Sequence, residues 1–195
     1  MPRPANPDVR RRLLSCGMAL VHSHGFAASG VKDITDWAGV PKGSFYAYFA
    51  SKEAFAVAIL EHYWADIELR ILPILESDGS AQERITRFFH ALADEHEASD
   101  FLLGCLVGNM SLELGGSSEA VRTELNRILG RWDSALAGCI RAGQAASEVR
   151  SDLDPAELAA LLIEGWEGAA LRGKVTRSRL PYNRFEDTVV PALLR

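Results

Sequence analysis

The feature that most constrains this chain is the helical punctuation of its first fifty residues. Asn6-Pro7 has the form of an N-cap followed by proline at the first helical position, where proline's missing N–H costs nothing. Leu13, Gly17, Leu20 and Val21 then recur at helical spacing until Gly25 closes the segment. Ser29 is placed to cap a short second helix carrying Val31, Ile34 and Ala38, and Gly39 stops it. A third helix is expected from Pro41 to Phe49. Ser51 opens a long fourth with Glu53 in its first turn, where a carboxylate suits the helix dipole. Three short helices joined by tight turns describe a helix-turn-helix head.

The punctuation continues behind the head. Ser80-Ala81-Gln82-Glu83 has the spacing of a capping box. A helix is expected from Gly104 to Gly115-Gly116, and a long one from Ser117 to about Val149. Asp154-Pro155-Ala156-Glu157 starts another, and Pro181 opens the last. No segment alternates as a strand. About nine helices predict an all-α protein, with a three-helix head over 1–50 and a helical bundle over 51–195.

Charge divides along the same line. The 195-residue chain carries a net charge of −5. Residues 1–52 hold seven basic side chains (Arg3, Arg10, Arg11, Arg12, Lys32, Lys42, Lys52) against three acidic ones, a net of +4, so the rest carries −9. A basic head on an acidic body is expected to meet a polyanion through the head alone. Solvated surface charge is the competing reading. Three cysteines (Cys16, Cys105, Cys139) are too few for a disulfide framework. Neither a membrane-spanning apolar run nor a secretory signal is seen, so a cytoplasmic protein is expected.

Within the third helix Phe45 and Phe49 face inward at i,i+4, leaving Lys42, Ser44, Tyr46 and Tyr48 outward. A lysine, a hydroxyl and two phenols suit a major-groove reader, since phosphates take charged donors and base edges take shaped polar contacts. The run from Val31 to Ala54, with Gly39-Val40-Pro41-Lys42-Gly43-Ser44-Phe45-Tyr46 at its centre and Gly25-Phe26 upstream, resembles the TetR-family DNA-binding signature nearly position for position. The resemblance covers about residues 10–60. It implies a TetR-like fold, a homodimer, and a third helix in the major groove of palindromic double-stranded operator DNA. One departure is Gly17, where the family often has alanine.

The DNA-binding residues expected on this basis are Ser29, Lys32, Lys42, Gly43, Ser44, Tyr46, Tyr48 and Lys52. Ser29 and Lys32 would hold phosphates, Lys42 to Ser44 would open the recognition helix, and Lys52 would pin a phosphate beside the next helix's positive end. Simple capping and surface charge compete for Ser29 and Lys32, and packing for Tyr46. Trp37 is read as structural.

Beyond residue 55 the bulky apolar residues are mostly core, with a subset lining a cavity for a small hydrophobic effector. Small residues in the last two helices (Ala159, Ala160, Gly165, Gly168, Ala169, Ala170) with Val189, Val190, Leu193 and Leu194 read as a dimer interface or as internal core. Gly104-Cys105-Leu106 followed by Asn109 and Glu113 is similar to a TetR subgroup that responds to electrophiles. A cysteine at a helix start has its thiolate favoured by free N–H groups, and Lys174 would be its cationic neighbour. The candidate effector-sensing set is therefore Cys105, Asn109, Glu113, Trp166 and Lys174. The competing reading of Cys105 is a small core hydrophobe, with non-covalent sensing. Cys16 is expected to be shielded in the head. His22, His24, His90 and His96 read as surface or part-buried. Neither a zinc motif, a phosphate-cradling loop nor a nucleophile elbow is present, so no enzyme, no metal and no cofactor are expected. The function expected is a repressor released from its operator by a small-molecule or electrophilic effector.

Overall fold

The structure is a computed structural model that describes residues 6–195; Arg3, counted in the basic head, lies outside them. The described residues form helices and turns with no strand. The elements are α1 (Pro7–His24), α2 (Val31–Trp37), a 3-10 helix (Lys42–Ala47), α3 (Lys52–Arg70), a second 3-10 helix (Leu72–Glu76), α4 (Ala81–Glu97), α5 (Leu106–Leu114), α6 (Glu119–Ala145), α7 (Pro155–Thr176), α8 (Leu180–Arg184) and α9 (Val190–Leu194), the last two joined by a π turn (Phe185–Val189). The fold is the all-α one expected.

Several starts and stops follow the local chemistry. Asn6 Oδ1 accepts from Asp8 N at 2.9 Å ahead of Pro7, and Gly39 turns the chain after α2 at φ +62°. Ser80 and Glu83 close a reciprocal capping box, Glu83 N to Ser80 Oγ at 3.3 Å and Ser80 N to Glu83 Oε2 at 2.9 Å.

Other boundaries differ from the sequence reading. The N-cap of α2 is Gly30, not Ser29, and Asp33 reaches back to Gly30 N at 3.0 Å. The third helix is a 3-10 turn over Lys42–Ala47 and stops short of Phe49. Ser147, at φ +59°, ends α6 by Ala145 instead of Val149. Trp37 is 57% exposed and is not part of the core.

The chain folds as two compact units that do not divide at residue 50. One comprises the described residues up to Ala65 with Leu106–Arg127; the other comprises Asp66–Cys105 with Ile128–Arg195. The first unit takes most of α3, all of α5 and the start of α6 along with the helix-turn-helix. Its core is built on Leu13, Ile34, Phe45, Phe49 and Phe55, the three phenylalanine rings 4.9–5.4 Å apart. The second unit packs Phe88, Phe89, Trp132, Trp166, Tyr182 and Phe185, all buried.

The departure at Gly17 has a steric cause. A Cβ there would lie 2.3 Å from Cζ of the fully buried Phe55 and 3.0 Å from a methyl of Ile34. Alanine is the better helix former by about 1 kcal/mol, yet overpacking a rigid ring costs about 1–3 kcal/mol. Gly17→Ala is therefore expected to lower stability in a denaturant titration, and an alanine variant more stable than the parent would show that the ring yields freely.

Candidate nucleic-acid interface and thiol site

The expected DNA-binding residues fall into two groups. Lys42, Gly43 and Tyr46 are exposed and Ser44 is half-buried, all on the 3-10 helix. Lys32 is exposed on α2 in an i,i+4 ion pair with Asp36 at 2.5 Å. That hydrogen bond holds the ammonium's pKa up, so the lysine stays charged.

The remaining three are already engaged within the head. Ser29 is 1% exposed and its hydroxyl donates to Gly25 O at 2.7 Å. Buried and bonded inward, it offers nothing to a phosphate; it holds the α1–α2 turn instead. The Tyr48 hydroxyl accepts from Asn6 N at 2.8 Å and donates to Asn6 O at 3.0 Å, tying the recognition segment to the start of α1. Lys52 Nζ donates to Phe26 O at 2.6 Å and lies 4.1 Å from the centre of the Phe26 ring. Burial pushes the Lys52 ammonium's pKa down, while the carboxylates of Glu53 and Glu113 pull it up.

Glu113 stands on α5 in the same unit, and its position was not foreseen. Its two carboxylate oxygens accept from Phe26 N at 3.1 Å and Ala27 N at 2.9 Å. The α1–α2 turn is thus held at three points: Ser29 on Gly25 O, Lys52 on Phe26 O, and Glu113 on the next two amides. Asn109, also expected beside the effector, is half-buried on α5.

The second unit holds Cys105, Trp166 and Lys174. Cys105 immediately precedes α5 and is 7% exposed. The loop before it has three left-handed residues, Asp100 at φ +53°, Phe101 at +55° and Gly104 at +66°. For a phenylalanine this is a sparsely populated conformation that costs of order 1–3 kcal/mol unless its surroundings fix it. They do so here from α7 and α8. Lys174 Nζ donates to Leu103 O at 3.0 Å, Arg177 Nη1 donates to Asp100 O at 3.4 Å, and the Phe101 ring stacks on Tyr182 at 5.6 Å. Trp166 is buried in the aromatic cluster, 5.3 Å from Tyr182 and 5.4 Å from Phe89.

Three members of this site were missed. Glu167 hydrogen-bonds to Cys105, and burial pushes its pKa up, with the Cys105 hydrogen bond offsetting part of that. The Tyr182 phenol, raised to about 12 by burial and by the nearness of Cys105, meets Nδ1 of His96 at 2.9 Å. His96 is buried, not a surface residue. Of the other cysteines, Cys16 is half-buried rather than shielded, and burial pushes the Cys139 thiol up.

An open groove of about 750 Å³ in the second unit is lined by Leu72, Leu75, Arg84, Gly138, Cys139 and Ala142, among others. Arg84 Nε is buried there without a hydrogen-bond partner.

Comparison with known proteins decides what these sites belong to. Residues 13–59 match the description "Bacterial regulatory proteins, tetR family", and residues 81–189 match "Tetracyclin repressor-like, C-terminal domain". The chain belongs to the TetR family. It is 41% identical to the HTH-type transcriptional repressor DhaR of Mycobacterium sp. (strain GP1), covering 97% of this chain and 94% of that one. It is 31% identical to the transcriptional repressor NemR of Escherichia coli K12 over 93% and 92% of the two chains. Among solved structures, the reduced form of E. coli NemR superposes with a TM-score of 0.85 at 29% identity, over 96% of this chain and 97% of that one. A TetR regulatory protein from Rhodobacter sphaeroides superposes at 0.87 and 32%, over 94% and 97%. As a TetR-family member the chain is a DNA-binding transcriptional repressor released by an effector, acts as a dimer on operator DNA, and is not an enzyme. No helix among the described residues is long and apolar enough to cross a membrane.

Proposed function

We propose that this repressor reads a palindromic operator through Lys42, Gly43, Ser44 and Tyr46, with Lys32 on a flanking phosphate, and is released when an electrophile modifies Cys105. The observation that carries the release is the setting of Cys105: a thiol in contact with a carboxyl, behind a strained loop held from α7, and one residue before α5. Helix α5 bears Glu113, whose carboxylate grips the α1–α2 turn of the head. Bulk added at Cys105 shifts the start of α5, and Glu113 carries that shift to Phe26, Ala27 and, through the shared turn, Lys52. The modified state fits DNA less well, so affinity falls. A solved structure of the related E. coli NemR is described as its reduced form, which favours a redox-sensitive group in that relative. Lys174, half-buried with its stem 3.1 Å from where a Cβ on Gly104 would stand, holds the loop in register.

Two copies are expected to pair through α7. Leu161, Gly168, Leu171 and Val175 fall on one face of that helix and are exposed, as is Leu180 just beyond it. Such a stripe suits a helical interface between copies of the chain. Val190, expected at that interface, is fully buried within the protomer, as is Leu194, and belongs to the core. A regulator of operator DNA is expected to work in the cytoplasm.

A second reading has its own support. The groove beside Arg84 combines Leu72, Leu75 and Ala142 with the polar Glu68, Glu76 and Ser134, and Arg84 Nε is buried without a hydrogen-bond partner, a mixed lining that suits a small-molecule effector.

Lys42→Ala is expected to weaken operator binding and to reduce the salt dependence by about one unit of slope; unchanged affinity and slope would remove Lys42 from the interface. Cys105→Ser is expected to bind operator but to resist release by N-ethylmaleimide at doses that free the parent protein, measured by fluorescence anisotropy. Equal release of the two proteins would rule out Cys105 and leave the Arg84 groove as the sensing site.

A further inference from the structure

Cys105 is buried, and burial by itself works against the charged thiolate through which a thiol reacts. A sensor built on it needs a way to remove the thiol proton during attack. The structure supplies a group suited to this, the carboxyl of Glu167 on α7, which hydrogen-bonds to Cys105. Glu167 is otherwise poorly served: its Oε1 is closed off from solvent and has no hydrogen-bond partner among the described residues. Burial pushes its pKa up, bringing it nearer to neutrality and making it a better proton acceptor than an exposed glutamate. On the other side of the cluster the Tyr182 phenol is held by His96 at 2.9 Å and by Ala170 O at 3.4 Å. Those contacts fix the aromatic wall beside the thiol and hold the Tyr182 oxygen in place.

We propose that Glu167 is the general base of Cys105, taking the thiol proton as the sulfur adds to an α,β-unsaturated carbonyl compound. As the Cys105 Sγ–Cβ(electrophile) bond forms, the C=C π pair of the electrophile moves toward its carbonyl oxygen and gives an enolate. The S–H proton passes to the Glu167 carboxylate. The carboxylic acid so formed then returns that proton to the enolate's α-carbon. The product is a neutral thioether, Glu167 is a carboxylate again, and no other reactant is consumed. The inference rests on the thiol-sensing reading above and adds to it the residue that makes a buried thiol reactive.

A purely electrostatic role for Glu167 has the opposite consequence. A carboxylate beside a thiol disfavours the thiolate, so neutralising Glu167 would then speed the reaction. The test is the second-order rate of alkylation of Cys105 by N-ethylmaleimide, followed by peptide mass spectrometry on the full-length protein between pH 5 and 9. Glu167→Gln is expected to slow Cys105 about tenfold or more at pH 7, the lower end of what a positioned base contributes, and Glu167→Asp to restore part of that rate. The parent's rate should fall as pH drops through the raised pKa of Glu167, because the base form is lost there, and this inflection should be missing in Glu167→Gln. Unchanged alkylation of Cys139 and unchanged helical content serve as the control for folding. An equal or faster rate in Glu167→Gln overturns the proposal, as does a parent Cys105 that does not react at all. Operator binding measured on the same samples separates the two claims. Glu167-dependent alkylation without release of DNA leaves the base intact and defeats thiol sensing, whereas release without Glu167 dependence does the reverse.

Discussion

One carboxylate organises the DNA-binding unit. Glu113, on α5, accepts from the amides of Phe26 and Ala27 in the turn between α1 and α2. Such turns leave backbone donors unsatisfied, and an ionised acceptor spanning two of them fixes the turn more firmly than a neutral one. The neighbouring carbonyls are used with equal economy: Gly25 O receives the Ser29 hydroxyl, and Phe26 O receives the Lys52 ammonium. Tyr48 adds a further tie, from the recognition segment to Asn6 at the start of α1. Helices α1, α2, α3, α5 and the recognition turn are thereby linked by hydrogen bonds around a core of three phenylalanine rings.

In the release proposed above, this arrangement is the route by which a chemical event at Cys105 would alter DNA binding. Cys105 is joined to α5 by a single peptide bond, and α5 ends on the residue pair that includes Glu113. A short rigid helix transmits a displacement at one end to the other with little loss. In the second unit Cys105 meets the Glu167 carboxyl and ends a loop in sparsely populated backbone conformations, held by Lys174 and Arg177. At the far end of α5 stands the carboxylate that fixes the head.

Much of the head was legible in the sequence because its signals are local. Asn6-Pro7, Gly39 and the Phe45–Phe49 pair each act within four residues, and each does what its chemistry dictates. The misjudged residues are those whose partners are distant in sequence. Ser29 reads as a cap or a phosphate ligand until the α1–α2 turn brings Gly25 O to its hydroxyl. Tyr48 reads as a groove contact until Asn6, 42 positions earlier, occupies its oxygen. Glu113 was singled out for sensing, but its amide partners lie 86 and 87 positions away. Glu167 left one trace, its position seven residues before Lys174 on the same face of α7. Val190 reads as interface or as core because an apolar residue in a small-residue segment suits both, and the fold buries it. The end of α6 was overrun because Ser147 adopts a left-handed conformation that no glycine announced.

Release through Cys105 requires that its modification be felt at the turn that Glu113 holds. Amide hydrogen exchange at Phe26 and Ala27, followed before and after alkylation of Cys105 in the absence of DNA, measures this directly. Both amides are predicted to exchange faster once Cys105 is alkylated, with no comparable change in the α1 amides that lie within the helix. Release of the operator while Phe26 and Ala27 keep their original exchange rates would contradict transmission through α5 and Glu113.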